Sequence, residues 1–182
     1  MMQHLFLTGE KGVGKTTLLK GLLAQYHGPV GGFFTIKTRQ VRPGRYTVHL
    51  LQAGRDEKPG EENLLFCCGD PISPALAARF DMLGCAALAA GGGAGLLVMD
   101  ELGPHEQDAQ GFCQAVRKAL DGDVPILGVL QRANTSLYAR IASHSQVRLV
   151  EVTAENRDDL SRTLRPPVRS QNEGTTPGHF LT

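Results

Sequence analysis

One stretch near the start of the chain, residues 5–17, constrains the fold more than any other. It reads LFLTGEKGVGKTT, in which three apolar residues precede a glycine-rich loop and the beginning of a helix. The loop fits the pattern G-x-x-x-x-G-K-[ST] at Gly9, Gly14, Lys15 and Thr16. The glycines allow successive backbone N–H groups to point into one concavity, where the N-terminus of the helix also attracts phosphate oxygens. The stretch therefore predicts a strand, a phosphate-binding loop and a helix.

The side chains of this loop have chemical roles in a nucleotide site. The Lys15 ammonium can reach the β- and γ-phosphates, and the Thr16 hydroxyl can ligate Mg²⁺. The residues predicted to bind a nucleoside triphosphate here are Gly9, Glu10, Lys11, Gly12, Val13, Gly14, Lys15, Thr16 and Thr17.

A second motif begins with the apolar run at residues 96–99, which ends in Asp100 and Glu101. Continuous apolarity is typical of a central parallel strand that is buried on both faces. An aspartate at the end of such a strand can hold Mg²⁺ beside Thr16, and Glu101 can polarise or deprotonate a water aligned with the γ-phosphate. Alternatively, the two acids only end the strand before Pro104. The phosphate-binding loop upstream favours the catalytic interpretation.

Stabilisation of a transferring phosphoryl group usually needs a cation beyond Lys15. Arg39, Arg79 and Arg132 are candidates that the sequence does not rank, and each is also typical of a solvated surface residue. Gln131 follows a predicted strand and could sense the γ-phosphate, although an ordinary loop residue is the favoured interpretation. Residues 100–103 spell D-x-x-G, but the chain has no N-K-x-D, which argues against a Ras-like switch.

The rest of the chain alternates short apolar strands with helical segments. Strands are predicted at residues 5–7, 30–36, 46–51, 63–67, 96–99, 125–130 and 147–152, and helices at 16–26, 74–90, 107–120, 136–142 and 154–164. This alternation predicts a three-layer α/β fold around one mostly parallel sheet, with an antiparallel hairpin near residues 30–52. We expect one domain over residues 1–164, followed by a mobile tail over residues 165–182, which is polar and has no periodicity.

Composition sets limits on partners and location. The chain has 182 residues, 41% of them hydrophobic and 20% charged, with a net charge of +1, so nucleic-acid binding is not indicated. A basic leader and a long apolar run are both absent, so a cytoplasmic protein that does not span a membrane is expected. The four cysteines lack zinc-ligand spacing, which favours reduced, partly buried thiols. Monomer is the default, since nothing in the sequence fixes the oligomeric state.

Four segments together resemble the nucleoside-triphosphatase family first described from thermophiles, which includes the cancer-related nucleoside-triphosphatase. They are LFLTGEKGVGKTTL, GGFFTIKTR, VMDELGPHE and VTAENRDDL, and the resemblance covers residues 3–164. Residues 32–35 and 155–157 are its most particular parts. In the family, acidic residues usually precede an arginine after G-F-x-T. Here Ile36 and Lys37 stand in that region and Arg39 fits the arginine.

The resemblance implies Mg²⁺-dependent hydrolysis of nucleoside triphosphates to diphosphate and phosphate, with broad base tolerance, on a RecA-like sheet. It implies that Asp100 is the magnesium ligand beside Thr16, that Glu101 is the catalytic base, and that Lys15 and Arg39 assist. Asn156 and Arg157 match a family segment near the nucleobase, although a first-turn helix residue and a solvated arginine are equally open interpretations. The residues added to the nucleotide site are Val98, Met99, Asp100, Glu101, Leu102, Gly103, Asn156 and Arg157.

Two alternatives stay open. One is a P-loop kinase that phosphorylates a nucleotide, a nucleic-acid end or a small molecule, with the basic hairpin near residues 30–52 supplying the acceptor pocket. The other is a nucleotide-dependent interaction module that binds a partner in one nucleotide state.

Overall fold

A seven-stranded sheet is the centre of the computed structural model, which describes residues 3–71 and 73–169. Its strands are β1 His4–Thr8, β2 Val30–Thr38, β3 Thr47–Gln52, β4 Leu64–Cys67, β5 Leu96–Leu102, β6 Ile126–Leu130 and β7 Val147–Glu151. Their spatial order is β4-β3-β2-β5-β6-β1-β7. The strand that leads into the glycine loop is therefore separated from the strand carrying Asp100 by β6 alone.

The sheet is mostly parallel, as predicted. β1 pairs in parallel with β6 and β7, and β5 pairs in parallel with β2 and β6. The predicted hairpin is confirmed, because β2 and β3 pair antiparallel from Phe33 opposite Gln52 to Thr38 opposite Thr47. A second antiparallel pair, β3 with β4, completes this end of the sheet.

Five α-helices cover the two faces of the sheet. They are α1 Lys15–Leu23, α2 Pro74–Ala90, α3 Gln110–Leu120, α4 Ser136–Ala142 and α5 Arg157–Thr163. On one face of the sheet, leucines of α1 pack with Leu164 in a hydrophobic core. On the other face, apolar residues of α2, α3 and α4 form a second core. All residues of β1 and β6 are buried, as expected for central parallel strands. The three-layer prediction is confirmed.

Two predicted boundaries are wrong around the Asp-Glu motif. β5 does not end at Met99 but continues through Asp100 and Glu101 to Leu102, with a shift of register against β6 between Met99 and Leu102. The predicted helix over 107–120 begins only at Gln110, and a short 3₁₀ helix, Pro104–Glu106, precedes it. A side-chain contact explains the turn: the Gly103 N–H donates to the Glu106 carboxylate at 2.8 Å, which holds the chain in a tight bend.

The end of the predicted domain is packed into the fold, since Leu164 is 4% exposed. Residues 165–169 of the predicted tail form neither helix nor strand, and residues 170–182 lie outside the described part. In the part of the chain that the structure describes, no helix is both long enough and apolar enough to cross a membrane.

Candidate active site

The glycine loop forms a cradle between the end of β1 and the start of α1. Gly14 is the N-cap of α1 and has φ 102°, a left-handed conformation that glycine adopts without steric cost. Gly9 has φ 138°, and a Cβ built there would lie 2.2 Å from the carbonyl oxygen of Val152. Any side chain at this position would push the loop away from the segment after β7. The loop conformation thus explains two of the glycines that the sequence pattern requires.

The Lys15 side chain curls back over the loop. Its ammonium donates to the carbonyl oxygens of Gly9 at 2.9 Å and Glu10 at 2.6 Å. Partial burial lowers the pKa of Lys15, and the negative charge of Glu101 opposes that shift. The ammonium is therefore held at the cradle, within the field of the Glu101 carboxylate.

Asp100 and Thr16 meet beside the cradle. The Thr16 Oγ1 lies 3.4 Å from the Asp100 Oδ1, and Asp100 is only 1% exposed. Burial, followed by the negative charge of Glu101, raises the pKa of Asp100 to about 6, while hydrogen bonds from the Thr35 amide and the Thr16 hydroxyl lower it. A buried carboxylate under like-charge repulsion is a position where a cation would be stabilised.

These donors fit Mg²⁺. This ion is usually held by one or two carboxylates together with hydroxyl, water and phosphate oxygens, and not by a dedicated protein cage. Within residues 3–71 and 73–169, no group of three or more His, Cys, Asp or Glu side chains is arranged to hold a metal. The hydroxyl and carboxylate pair of Thr16 and Asp100 is the donor set that such a shared site requires.

Glu101 has an unusual backbone conformation. It is the one non-glycine residue with a positive φ, 62°, in the described part of the chain, and it lies where β5 shifts register against β6. An irregularity of this kind re-aims a side chain out of the regular alternation of a strand. Asp100 is buried, whereas Glu101 is exposed to the open space above the sheet. The two neighbouring acids therefore occupy different environments.

Two cavities adjoin at this point. The first, called here the phosphate cavity, has a volume of about 290 Å³ and is lined by the glycine loop, Thr17, Glu101, Val129 and Gln131. The second, called the hairpin cavity, has a volume of about 310 Å³ and extends under β2 and β3. Three residues line both cavities: Lys11, Glu101 and Gln131. Glu101 thus stands on the boundary between the two spaces.

The other predicted site residues differ in their position relative to these cavities. Val98, Met99 and Leu102 are fully buried in the two hydrophobic cores and line neither cavity, so their predicted contact with a nucleotide gains no support from their positions. Gly103 lines the hairpin cavity. Glu10 contributes its carbonyl to Lys15.

The two residues assigned to the nucleobase side differ in how they are placed. The Asn156 side chain accepts from the Thr153 N–H at 2.8 Å and donates to the Glu151 carbonyl at 2.9 Å, while the Asn156 N–H bonds the Thr153 hydroxyl. It therefore closes the turn before α5, of which it is the N-cap. Arg157 adjoins the cradle, because a Cβ on Gly14 would lie 3.8 Å from its Cδ.

The three arginines considered as a further cation all make other contacts. The Arg39 guanidinium lies 4.0 Å from the centroid of the Tyr46 ring and Arg39 lines neither cavity, so its catalytic role stays a prediction. Arg79 donates to the Leu64 carbonyl at 2.9 Å, and Arg132 pairs with Glu151 at 2.8 Å. Lys11 is the cation that borders both cavities.

Sequence reasoning undervalued Gln131 and missed Glu106 and the Thr35 amide. Gln131 follows β6, the strand between β1 and β5, so its position at the cradle depends on a strand order that the sequence does not state. Glu106 is 5% exposed, and burial raises its pKa to about 7. A charged residue three positions after a glycine gives no sequence signal of burial.

The strand order, the glycine cradle and the neighbouring acids define this chain as a protein of the P-loop NTPase fold. Comparison with known proteins gives the family: a sequence model of the NTPase family matches residues 4–164, and the chain belongs to that family. It is 33% identical to nucleoside-triphosphatase THEP1 of Thermofilum pendens, over 92% of this chain and 96% of the relative. It is 32% identical to the human cancer-related nucleoside-triphosphatase, over 95% of this chain and 100% of that protein.

Solved structures agree on the fold. The crystal structure of THEP1 from Aquifex aeolicus aligns with a TM-score of 0.68 at 22% identity, covering 87% of this chain and 95% of that one. The solution structure of the human cancer-related nucleoside triphosphatase aligns with a TM-score of 0.58 at 29% identity, covering 88% of this chain and 94% of the human chain.

Proposed function

We propose that this protein hydrolyses nucleoside 5′-triphosphates, ATP and GTP among them, to the diphosphate and phosphate in a Mg²⁺-dependent reaction, with Glu101 activating the attacking water. The names of its relatives support the reaction class. The observation that carries the assignment of the base is the position of Glu101, which borders the phosphate cavity beside Lys15 with an exposed carboxylate.

The phosphate groups would bind the backbone amides of the loop from Gly9 to Thr16, with the N-terminus of α1 contributing its partial positive charge. Lys15 exchanges its bonds to the loop carbonyls for bonds to the β- and γ-phosphates, and Lys11 borders the same cavity. Thr16 and Asp100 would hold Mg²⁺, which when bound neutralises charge on the phosphate oxygens. Arg157, which adjoins Gly14, would lie toward the nucleoside.

In the chemical step, the Glu101 carboxylate orients a water against the γ-phosphorus and accepts its proton as the oxygen attacks. Lys15 donates to the bridging and γ-phosphate oxygens, where negative charge accumulates as the diphosphate leaves. Gln131 would contact the γ-phosphate or the attacking water, because it lines both cavities together with Glu101.

The test is steady-state phosphate release from ATP, GTP, CTP and UTP, with Mg²⁺ and with EDTA. Glu101→Gln keeps the size of the side chain but removes its basicity, so we expect kcat to fall by about 10²–10⁴-fold while triphosphate binding is retained. Glu62→Gln, an exposed acid on the loop before β4, is the matched control and should leave kcat unchanged. Full turnover in Glu101→Gln would show that another group activates the water.

A further inference from the structure

The hairpin cavity is far larger than hydrolysis requires. Its volume is about 310 Å³, whereas a single water needs only about 10–15 Å³ of such space. An engineered apolar cavity of about 150 Å³ holds a benzene molecule, and ligand pockets begin near about 300 Å³. The space beside Glu101 is thus of the size of a small organic molecule.

Arg157 adjoins the cradle but does not line this cavity. Arg157 adjoins Gly14 at the start of α1, whereas the hairpin cavity opens beyond Glu101 and reaches the β2–β3 hairpin through Thr35, Lys37 and Val48. A triphosphate whose nucleoside points toward Arg157 would present its γ-phosphate toward Glu101. The hairpin cavity then lies in front of the γ-phosphorus, where an attacking group must approach.

The lining combines aromatic surface with a few polar groups, one of which has no hydrogen-bond partner among the described residues. Phe66 and His105 form a ring pair with centroids 5.2 Å apart, and Phe80 adds a second phenyl ring. The Nδ1 of His105 is buried and has no hydrogen-bond partner among the described residues. Glu106 contributes a buried carboxyl, and Lys37 contributes a cation. Flat aromatic walls with a few convergent polar groups suit a planar heterocycle with hydroxyl groups.

We propose that the hairpin cavity binds a hydroxyl-bearing planar heterocycle of the size of a nucleoside, and that the protein transfers the γ-phosphoryl group of a nucleoside triphosphate to its hydroxyl. This activity rests on the nucleotide site proposed above and adds to hydrolysis. The acceptor oxygen forms a bond to the γ-phosphorus as the bond to the β–γ bridging oxygen breaks. The acceptor proton passes to the Glu101 carboxylate and then to solvent, and the nucleoside diphosphate leaves.

The experiment uses the full chain with Mg²⁺ and ATP labelled with ³²P at the γ-position, and adds adenosine, guanosine, cytidine or uridine as the acceptor. We expect label in a nucleoside monophosphate with at least one of the four, and none with the Lys15→Ala protein purified in the same way. Free phosphate release without any nucleoside is measured in parallel, so that a failure of hydrolysis is distinguished from a failure of transfer.

Two variants change the hairpin cavity without touching the phosphate cavity. Val48→Phe fills it from β3, and Lys37→Ala removes the lysine that lines this cavity alone. Lys118→Ala, on the exposed side of α3, is the matched control for Lys37→Ala. We expect each cavity variant to reduce the rate of nucleoside monophosphate formation by about tenfold or more, which corresponds to about 1.4 kcal/mol of activation free energy. Free phosphate release should be retained. Label found only as free phosphate with all four nucleosides would overturn the proposal. So would loss of hydrolysis in both cavity variants, because the triphosphate itself would then occupy this space.

Discussion

At the scale of single residues, the conformation of Glu101 is the most informative feature of the site. A non-glycine residue in the left-handed region costs about 1–3 kcal/mol and persists only where its surroundings impose it. Here β5 is held on both sides by β2 and β6, and the register shift next to Glu101 allows the chain to turn. Strand pairing therefore maintains this conformation. As a result, Glu101 is exposed at the boundary of the two cavities, while its neighbour Asp100 remains buried.

Glu106 is a second residue whose environment the sequence does not reveal. Its carboxylate accepts the Gly103 N–H at 2.8 Å, and burial raises its pKa from 4.5 to about 7. The folded state therefore binds this proton more tightly than the unfolded state does. The stabilisation from Glu106 is fully present below pH 4.5 and is lost as the pH rises through about 7.

We predict that Glu106→Gln removes this pH dependence. The glutamine oxygen still accepts the hydrogen bond from Gly103 but does not titrate. As the pH rises from acidic to alkaline, the unfolding free energy of the variant should therefore increase by about 3 kcal/mol relative to that of the parent. Urea unfolding of both proteins at pH 5 and pH 8 measures the difference. Glu62→Gln, which is exposed, should show no such change. An equal difference between Glu106→Gln and the parent at both pH values would contradict the prediction.

At the scale of elements, the packing of α2 on α3 depends on a glycine. A Cβ at Gly84 of α2 would lie 2.3 Å from the Phe112 ring of α3, so the ring packs directly against the helix backbone. Phe112 is fully buried and also contacts the rings of Phe33 and Phe80. A side chain at position 84 would therefore overlap a ring that is buried and packed against two other rings.

We predict that Gly84→Ala destabilises the protein by about 1–3 kcal/mol because the two helices must separate. Gly21→Ala in α1 is the matched control: a Cβ there meets nothing within 4 Å, and the higher helix propensity of alanine should stabilise by up to about 1 kcal/mol. Thermal unfolding of both variants is the measurement. Stabilisation by both substitutions would show that α2 and α3 adjust without cost.

Elements also show where sequence patterns succeed and where they fail. The helix Pro74–Ala90 has the predicted bounds, because its Ser73 N-cap, its proline at the first position and the glycine run after it are all local signals. The start of α3 at Gln110 was missed, because the preceding turn is set by a bond between Gly103 and the buried Glu106. The continuation of β5 through two acids is likewise decided by pairing with β6.

At the scale of the whole molecule, the candidate site joins parts of the chain that are distant in sequence. Thr16 of α1 meets Asp100 of β5 at 3.4 Å across 84 positions, and Gln131 after β6 borders the same cavity. A ligand that contacts all of these should stabilise the folded chain as one unit, since it binds the folded state and not the unfolded one.

We predict that Mg²⁺ with a slowly hydrolysed ATP analogue raises the Tm. At a ligand concentration of about 100 times Kd the gain is about 2.7 kcal/mol, which for a chain of this size is about 5–10 °C. In Asp100→Asn the part of the shift that requires Mg²⁺ should disappear, whereas the exposed control Asp123→Asn should keep it. An undiminished magnesium effect in Asp100→Asn would contradict the assignment of this residue as the metal ligand.

The sequence by itself determined the features that depend on neighbouring residues. It specified the glycine cradle, the helix after it, the apolar strands, the antiparallel hairpin and the order of acids at Asp100 and Glu101, because backbone sterics and hydrophobic periodicity act over a few residues. Only the tertiary structure decided that Arg39 stacks on Tyr46, that Gln131 borders the cradle, that Glu106 is buried and that a second cavity opens beside Glu101. These depend on strand order and register, which bring together residues that have no local signal in common.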